Sequence, residues 1–175
     1  MKTIRLKPGK ERSLLRRHPW LFESAIADGN AEVGETVRVE SSDGQFLAWA
    51  AFSPASKIRA RVWSFDQQQR LDASFFIAAC ACSISARARF DIKSDGLRLL
   101  HGEADGLPGL IVDRYGDTLV AQFTSAGVER WKEVIADALL ATTGLTKLYE
   151  RSDASSRALE GLPEACGWLR GAGDV

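Results

Sequence analysis

E-T-V-R-V-E-S-S-D-G-Q-F-L-A-W-A-A-F (residues 35–52) contains two alternating segments on either side of a turn pair. In the first segment, residues 35–40, Val37 and Val39 share one face, as expected for a half-buried strand. Asp43-Gly44 is a strong signal for a two-residue hairpin turn, and residues 46–52 then form the returning strand. The stretch therefore predicts a β-hairpin near the start of the chain.

The neighbouring segments extend this hairpin into a larger β structure. Residues 3–7 alternate and end at the turn pair Pro8-Gly9. A short basic helix follows, and it must stop near His18 because the residue before Pro19 is disfavoured in the α region. Residues 58–65 alternate again. Together these elements predict a compact barrel or curled sheet with a helix near its start.

A second domain is predicted after the polar linker at residues 67–69. Asp72 can cap a helix that runs to about residue 89. Strands are expected at residues 97–101, 110–115, 118–125 and 146–151, and a helix at residues 128–142. This order predicts an α+β fold, with an antiparallel or mixed sheet and helices on one face. We expect domains at residues 1–68 and 72–165, and a flexible tail at residues 166–175.

Composition and charge limit the classes of function. The chain has 175 residues, of which 45% are hydrophobic and 26% are charged, as in an ordinary globular protein. No apolar run approaches the roughly 20 residues of a membrane-spanning helix, and three cysteines do not suggest a disulfide framework, so we expect a cytoplasmic protein. Residues 1–70 hold 12 Lys/Arg and 8 Asp/Glu, whereas residues 71–175 hold 11 and 15. The basic excess, concentrated in the first 20 residues, indicates contact with a polyanion.

The strand at residues 58–65 offers a candidate surface for nucleic acid. Alternation places Arg59, Arg61 and Trp63 on one face, where guanidiniums can pair with phosphates and an indole can stack on a base. A solvated barrel face explains the same pattern equally well. The basic helix favours nucleic acid, since Arg12 and Arg16, spaced i and i+4, repel each other unless an anion lies between them.

Other candidate sites are better explained by structure. Cys80 and Cys82 point to different sides of a helix, which favours core packing over a shared metal. The loop at residues 101–109 contains His101, Glu103 and Asp105, but turn formation explains these residues better than a metal site, and we expect no metal. The only G-x-G, at residues 171–173, has no helix after it and cannot bind a dinucleotide or adenosyl cofactor. We therefore expect no cofactor and no catalytic residue in these 175 residues.

Four separated segments resemble one family. They are L-L-R-R-H-P-W-L-F (residues 14–22), F-S-P-A-S-K-I-R-A-R-V-W-S-F (residues 52–65), G-E-A-D-G-L-P-G-L-I-V-D-R-Y-G (residues 102–116) and E-R-S-D (residues 150–153). In this order they resemble the bacterial large-subunit ribosomal RNA cytosine-5 methyltransferases. The resemblance implies an N-terminal PUA domain that binds RNA and a central α+β domain. It also implies that S-adenosylmethionine (SAM) and the catalytic cysteine belong to a third domain that this chain lacks, so the chain alone is expected to be inactive.

These observations lead to one leading hypothesis. The chain is expected to position structured ribosomal RNA for a separate SAM-dependent catalytic domain, with no membrane partner and with a homodimer left open. The residues expected to contact RNA are Lys10, Arg12, Arg16, Arg17, His18, Ser53, Pro54, Lys57, Arg59 and Arg61. Two alternatives remain: a free-standing RNA-binding adaptor, and metal-dependent hydrolysis at His101, Glu103 and Asp105.

Overall fold

The computed structural model describes residues 1–90 and 92–173, which form two β-sheets. The strands of the first sheet, called the barrel below, are β1 (Thr3–Leu6), β2 (Trp20–Phe22), β3 (Ile26–Asp28), β4 (Thr36–Glu40), β5 (Phe46–Phe52) and β6 (Ile58–Ser64). Their spatial order is β2-β6-β5-β4-β1-β3. Only the pair β1–β4 is parallel among these neighbours, and the short helix α1 (Arg12–Leu15) connects β1 to β2.

The predicted hairpin is present with the predicted inward face. β4 pairs antiparallel with β5, and Val37 and Val39 are fully buried. At the turn, the Ser41 hydroxyl donates a hydrogen bond to the Asp43 carboxylate, and Gly44 has a φ of 84°. That left-handed conformation is readily adopted by glycine. The turn is longer than the predicted two-residue turn, because the Ser41 amide donates to the Gln45 carbonyl and residues 42–44 lie between them.

Residues 73–170 form a second module around a five-stranded sheet. Its strands are β7 (Gly96–His101), β8 (Leu110–Tyr115), β9 (Thr118–Phe123), β10 (Lys147–Ser152) and β11 (Ala165–Arg170), in the order β11-β10-β9-β8-β7. Its helices are α2 (Ala73–Arg87), α3 (Ala126–Arg130), α4 (Lys132–Thr143) and α5 (Ser156–Leu159). The sheet is mixed, because β9 and β10 are parallel and are joined through α3 and α4. This is the predicted α+β class.

Two helices cover one face of this sheet. Asp72 caps α2 by accepting a hydrogen bond from the Ser74 amide at 3.0 Å, as expected from the sequence. Phe76 and Cys80 of α2 are buried with Ile135 of α4 in a common core, and burial raises the pKa of the Cys80 thiol to about 12. The predicted core packing is therefore confirmed for Cys80, but it is wrong for Cys82, which is exposed. None of the helices in the described ranges has the length and apolar character needed to cross a membrane.

Two predicted elements differ from the structure. The single helix expected at residues 128–142 is two helices, α3 and α4, separated at Trp131. The tail expected at residues 166–175 instead begins with β11, which pairs antiparallel with β10. Tyr149 faces Trp168 across this pair, with ring centroids 5.4 Å apart. Cross-strand pairing with β10 therefore orders β11, although the glycines of this segment predict flexibility.

The barrel and the second module share a hydrophobic core. Trp63 of β6 is buried and meets Phe76 edge to face, with centroids 5.2 Å apart. A Cβ atom on Gly127 would lie 2.5 Å from both Ala51 and Trp63. Only glycine lets α3 approach the barrel this closely, so the two parts pack directly against each other.

Candidate nucleic-acid interface

The basic segment, defined as Lys10, Arg12, Arg16 and Arg17, lies on the outside of the barrel. All four side chains are exposed, and none forms an ion pair with any residue of the described ranges. Leu14 is buried in the barrel and anchors this short turn of helix. The segment therefore presents fixed and uncompensated positive charge to solvent.

The end of the basic segment turns sharply toward β2. Arg17 has a φ of 62°, which is unusual for a residue other than glycine, and its guanidinium lies 4.8 Å from the centre of the Phe65 ring. His18 is exposed, and its Nδ1 accepts a hydrogen bond from the Trp20 amide at 3.1 Å. His18 is thus adjacent to the basic segment, as the sequence predicted.

Arg59 and Arg61 lie in a different environment from the one expected. The Arg61 side chain is 14% exposed and pairs at 2.9 Å with Glu160, which is 1% exposed. The Arg59 side chain is 18% exposed, pairs with Glu23 at 2.6 Å and donates to the Pro54 carbonyl. Both guanidiniums are thus paired with carboxylates, unlike the cations of the basic segment, and their contact with RNA stays a prediction. Alternation correctly placed them on one face, but that face meets the second module and local carboxylates.

Polar groups of Ser53 and Pro54, in the turn at residues 53–57, form hydrogen bonds within the protein. Ser53 is buried, and its hydroxyl donates to Glu160 at 2.7 Å, while the Pro54 carbonyl accepts from Arg59. These groups are not presented to a ligand, contrary to expectation. Lys57 is exposed and has no ion-pair partner among the described residues, so its side chain remains available to an anion.

A buried ionic network, not anticipated from the sequence, supports the second module. Arg157 is 1% exposed, donates to the Phe123 and Pro163 carbonyls, and pairs with Glu129 at 2.9 Å. Burial acts to raise the pKa of Glu129, but Arg157 and Lys132 outweigh it and hold the pKa below its ordinary value. The sequence gives no local signal for such pairs, because the partners Arg157 and Glu129 are 28 residues apart.

The carboxylates of the 101–109 loop have separate partners. Glu103 accepts a hydrogen bond from the Trp20 indole at 2.6 Å, whereas Asp105 pairs with Arg87 at 2.6 Å and accepts from the His101 amide. Within residues 1–90 and 92–173, no group of three His, Cys, Asp or Glu side chains is placed to hold a metal ion. The geometry gives no support to metal-dependent hydrolysis at this loop.

Glu103 and Trp20 meet at a cleft between the barrel and the second module, called the junction cleft. Its volume is about 200 Å³. It is lined by Trp20, Arg61, His101, Gly102, Glu103, Gly109, Ile111 and Thr124. Three of the four segments that carry the family resemblance contribute to its walls, although they are far apart in the chain.

The crossover after β9 is closed to a cofactor at Gly127. The parallel pair β9–β10 has a crossover helix, and Gly127 lies in the first turn after β9, where an adenosyl cofactor could approach bare backbone. The space beside Gly127 is filled by Ala51 and Trp63 of the barrel. This glycine permits contact between the two modules and does not leave room for a ligand.

The comparisons with known proteins identify the class of the barrel. Residues 4–65 match the family model described as a PUA-like domain. This match covers β1 to β6, so the first part of the chain is a PUA-like domain.

Nearly the whole chain is similar to proteins named ribosomal RNA large subunit methyltransferase I. The chain is 43% identical to the protein from Aliivibrio fischeri, 42% to that from Shewanella frigidimarina and 46% to that from Vibrio vulnificus. These alignments cover 96–97% of this chain but 43–44% of each relative. The chain therefore spans less than half the length of these curated relatives.

Two solved structures share the fold. One is a proposed SAM-dependent methyltransferase from Streptococcus mutans, with a TM-score of 0.82 and 21% identity over 100% of this chain and 44% of that one. The other is a proposed methyltransferase in complex with SAH, with a TM-score of 0.77 and 21% identity over 87% of this chain and 40% of that one. The two modules thus occur in the same arrangement within longer chains.

Proposed function

We propose that this chain holds large-subunit ribosomal RNA as the RNA-binding and central region of a SAM-dependent cytosine-5 methyltransferase. The observation that carries the proposal is the basic segment: four exposed cations on a PUA-like domain, without an ion-pair partner among residues 1–90 and 92–173. The names of the relatives support ribosomal RNA as the polyanion. A cytoplasmic location follows from that substrate.

The proposed mechanism is electrostatic positioning. Guanidinium and ammonium groups of the basic segment, together with Lys57 and His18, contact phosphates along one RNA strand. Such contacts fix the orientation of the RNA without reading its sequence. Because the two modules pack tightly against each other, RNA bound to the barrel has a fixed position and orientation relative to the second module.

Methyl transfer is assigned to a separate domain that binds SAM. The filled space beside Gly127 supports this division, because it leaves no room for a cofactor at the crossover after β9. The role of residues 1–68 is RNA binding, and the role of residues 72–165 is to connect that domain to the site of chemistry.

A titration with a hairpin from large-subunit ribosomal RNA tests the proposal. Each phosphate contact should contribute about 0.7 to 0.9 to the slope of log affinity against log salt. We expect binding at low salt that weakens with such a dependence. Binding that is independent of salt, or no binding at low salt, would refute RNA binding by this chain.

A further inference from the structure

The phosphate contacts of the basic segment do not explain the junction cleft. Its volume and its lining side chains suggest a second binding site. Its volume of about 200 Å³ is below the roughly 300–1,000 Å³ of pockets for drug-sized ligands. A single planar ring system is a ligand of suitable size. Trp20, which lines the cleft, is only three residues after Arg17, the last residue of the basic segment.

Trp20 supplies an aromatic wall that is held in place. Its indole N–H donates to Glu103 Oε1 at 2.6 Å, and the rings of His18 and Phe22 approach it edge-on, with centroids 5.8 and 6.5 Å away. An ordered ring loses little freedom when a ligand stacks on it. Every nucleobase has a π-face that can stack on such a ring.

The cleft also contains unused hydrogen-bond acceptors. The Trp20 indole donates to Glu103 Oε1, and no hydrogen bond to Oε2 occurs among the described residues. The Thr124 hydroxyl donates to the Gly109 carbonyl at 2.9 Å, so its lone pairs remain free to accept. The charge of Arg61 at the same cleft is compensated by Glu160. Arg61 Nη1 is nevertheless buried without a hydrogen-bond partner among the described residues, so it is an unused donor. A ligand here must bring N–H donors for the acceptors and an acceptor for this guanidinium.

His101 adds one donor to this wall. Its Nδ1 lies 3.2 Å from Arg98 Nη1. A guanidinium can only donate, so Nδ1 must be the acceptor, and the proton of the neutral ring is on Nε2. The cleft therefore combines a carboxylate acceptor with an imidazole donor beside an indole ring. An amine next to a ring nitrogen, as on the edge of cytosine or adenine, has the complementary pattern.

We propose that the junction cleft binds one unstacked nucleobase with an exocyclic amine, from the same RNA strand whose phosphates contact the basic segment. This inference rests on the proposed function, because it requires a bound RNA strand. Glu103 accepts from the amine, His101 donates to the adjacent ring nitrogen, and Trp20 stacks on the base. The barrel then binds RNA without reading sequence, and the cleft selects the base.

Single-stranded pentamers of cytidine and of uridine test the inference on the chain as it stands. The two oligonucleotides carry equal charge, so a difference in affinity reports on the base. We expect cytidine pentamers to bind roughly five- to 150-fold more tightly, the discrimination typical of a good pair of hydrogen bonds to a base. In Glu103→Gln the amide can still accept from the indole but offers N–H groups to the ligand, so the preference should disappear or reverse.

Tryptophan variants test the stacking wall. Trp20→Ala should weaken both pentamers by roughly five- to 150-fold, whereas Trp20→Phe should retain much of the affinity. Trp168→Ala, which removes an indole from the edge strand β11, should leave binding unchanged. Circular dichroism melting checks each fold, and Glu103→Gln remains informative if Trp20→Ala does not fold.

The outcomes separate the inference from the proposed function. Equal affinity for the two pentamers in the unmodified chain, with normal salt dependence, overturns the base cleft and leaves the RNA-binding role intact. A cytidine preference that survives in Glu103→Gln, or unchanged binding of both pentamers to Trp20→Ala, also overturns the cleft. If neither pentamer binds the unmodified chain at low salt, the inference is overturned, and the titration with the ribosomal RNA hairpin decides separately on the proposed function.

Discussion

Arg61 and Glu160 form an ion pair, 2.9 Å long, that links β6 of the barrel to the residue directly after α5. The same carboxylate accepts hydrogen bonds from the Ser53 hydroxyl at 2.7 Å and from the Ala126 amide at 3.3 Å. Glu160 therefore joins four separate parts of the chain at the boundary between the modules. It fixes the PUA-like domain relative to the second sheet.

Removing the charge of Glu160 should destabilise the protein strongly. Breaking a buried pair by changing one partner costs about 3–5 kcal/mol, because the other charge remains buried without compensation. We expect Glu160→Gln to lower the free energy of unfolding by about this amount in urea titration. Glu164→Gln makes the same charge change at an exposed site and should have little effect. Equal stabilities of the two variants would show that the ion pair does not hold the modules together.

The close approach of α3 to the barrel at Gly127 predicts that replacing this glycine with alanine destabilises the protein. Alanine normally stabilises a helix relative to glycine. Here the added Cβ would lie 2.5 Å from Ala51 and Trp63, and overpacking of this kind costs about 1–3 kcal/mol. Gly127→Ala should therefore lower the melting temperature. Gly96→Ala, where the nearest atom would lie at 3.5 Å, is the matched control, and a lower melting temperature for it alone would contradict the packing described at Gly127.

The cap of α2 should contribute to stability independently of the modules' interface. Asp72 accepts from the Ser74 amide at 3.0 Å, and loss of such a cap costs about 0.5–2 kcal/mol. Chemical denaturation should show this loss in Asp72→Ala. Asp72→Asn keeps a capping oxygen and should retain most of the stability. If the two variants are equally destabilised, the side-chain cap is not the source of the effect.

Glu129 should make stability depend on pH in the acid range. Its pKa in the folded protein is lowered, mainly through Arg157 and Lys132 acting against burial. A lowered folded-state pKa contributes stability that is present above the unfolded value of 4.5 and is lost as pH falls through the folded value. Urea unfolding at a series of acid pH values should show this loss in the unmodified protein and a smaller loss in Glu129→Gln. A profile unchanged by Glu129→Gln would exclude this carboxyl as a source of acid sensitivity.

Local patterns were sufficient for much of the fold. The strands at residues 46–52 and 110–115 have the predicted bounds, because alternation and flanking turns determine them locally. β2 was missed because Trp20–Phe22 is too short and too uniformly apolar to show alternation. β11 was missed because its pairing with β10, and not its own composition, makes it a strand.

The candidate site was predicted only in part, for a physical reason. The exposed cations of the basic segment follow from composition, since Glu11 is the one acidic residue among the first 20 residues. Arg59 and Arg61 have the same alternation as a nucleic-acid-binding strand, but their partners depend on which element packs over β6. Glu160 lies about 100 residues away, and tertiary packing alone brings it to Arg61.

The salt dependence of RNA binding by a charge variant tests the central claim most directly. The double variant Arg12→Gln/Arg16→Gln removes two exposed cations of the basic segment, and Arg89→Gln/Arg114→Gln removes two exposed cations of the second module. At about 0.7 per lost phosphate contact, the slope of log affinity against log salt should fall by about 1.4 in the first variant and remain unchanged in the second. Equal slopes for the first variant and the unmodified chain would contradict the claim that the basic segment binds ribosomal RNA.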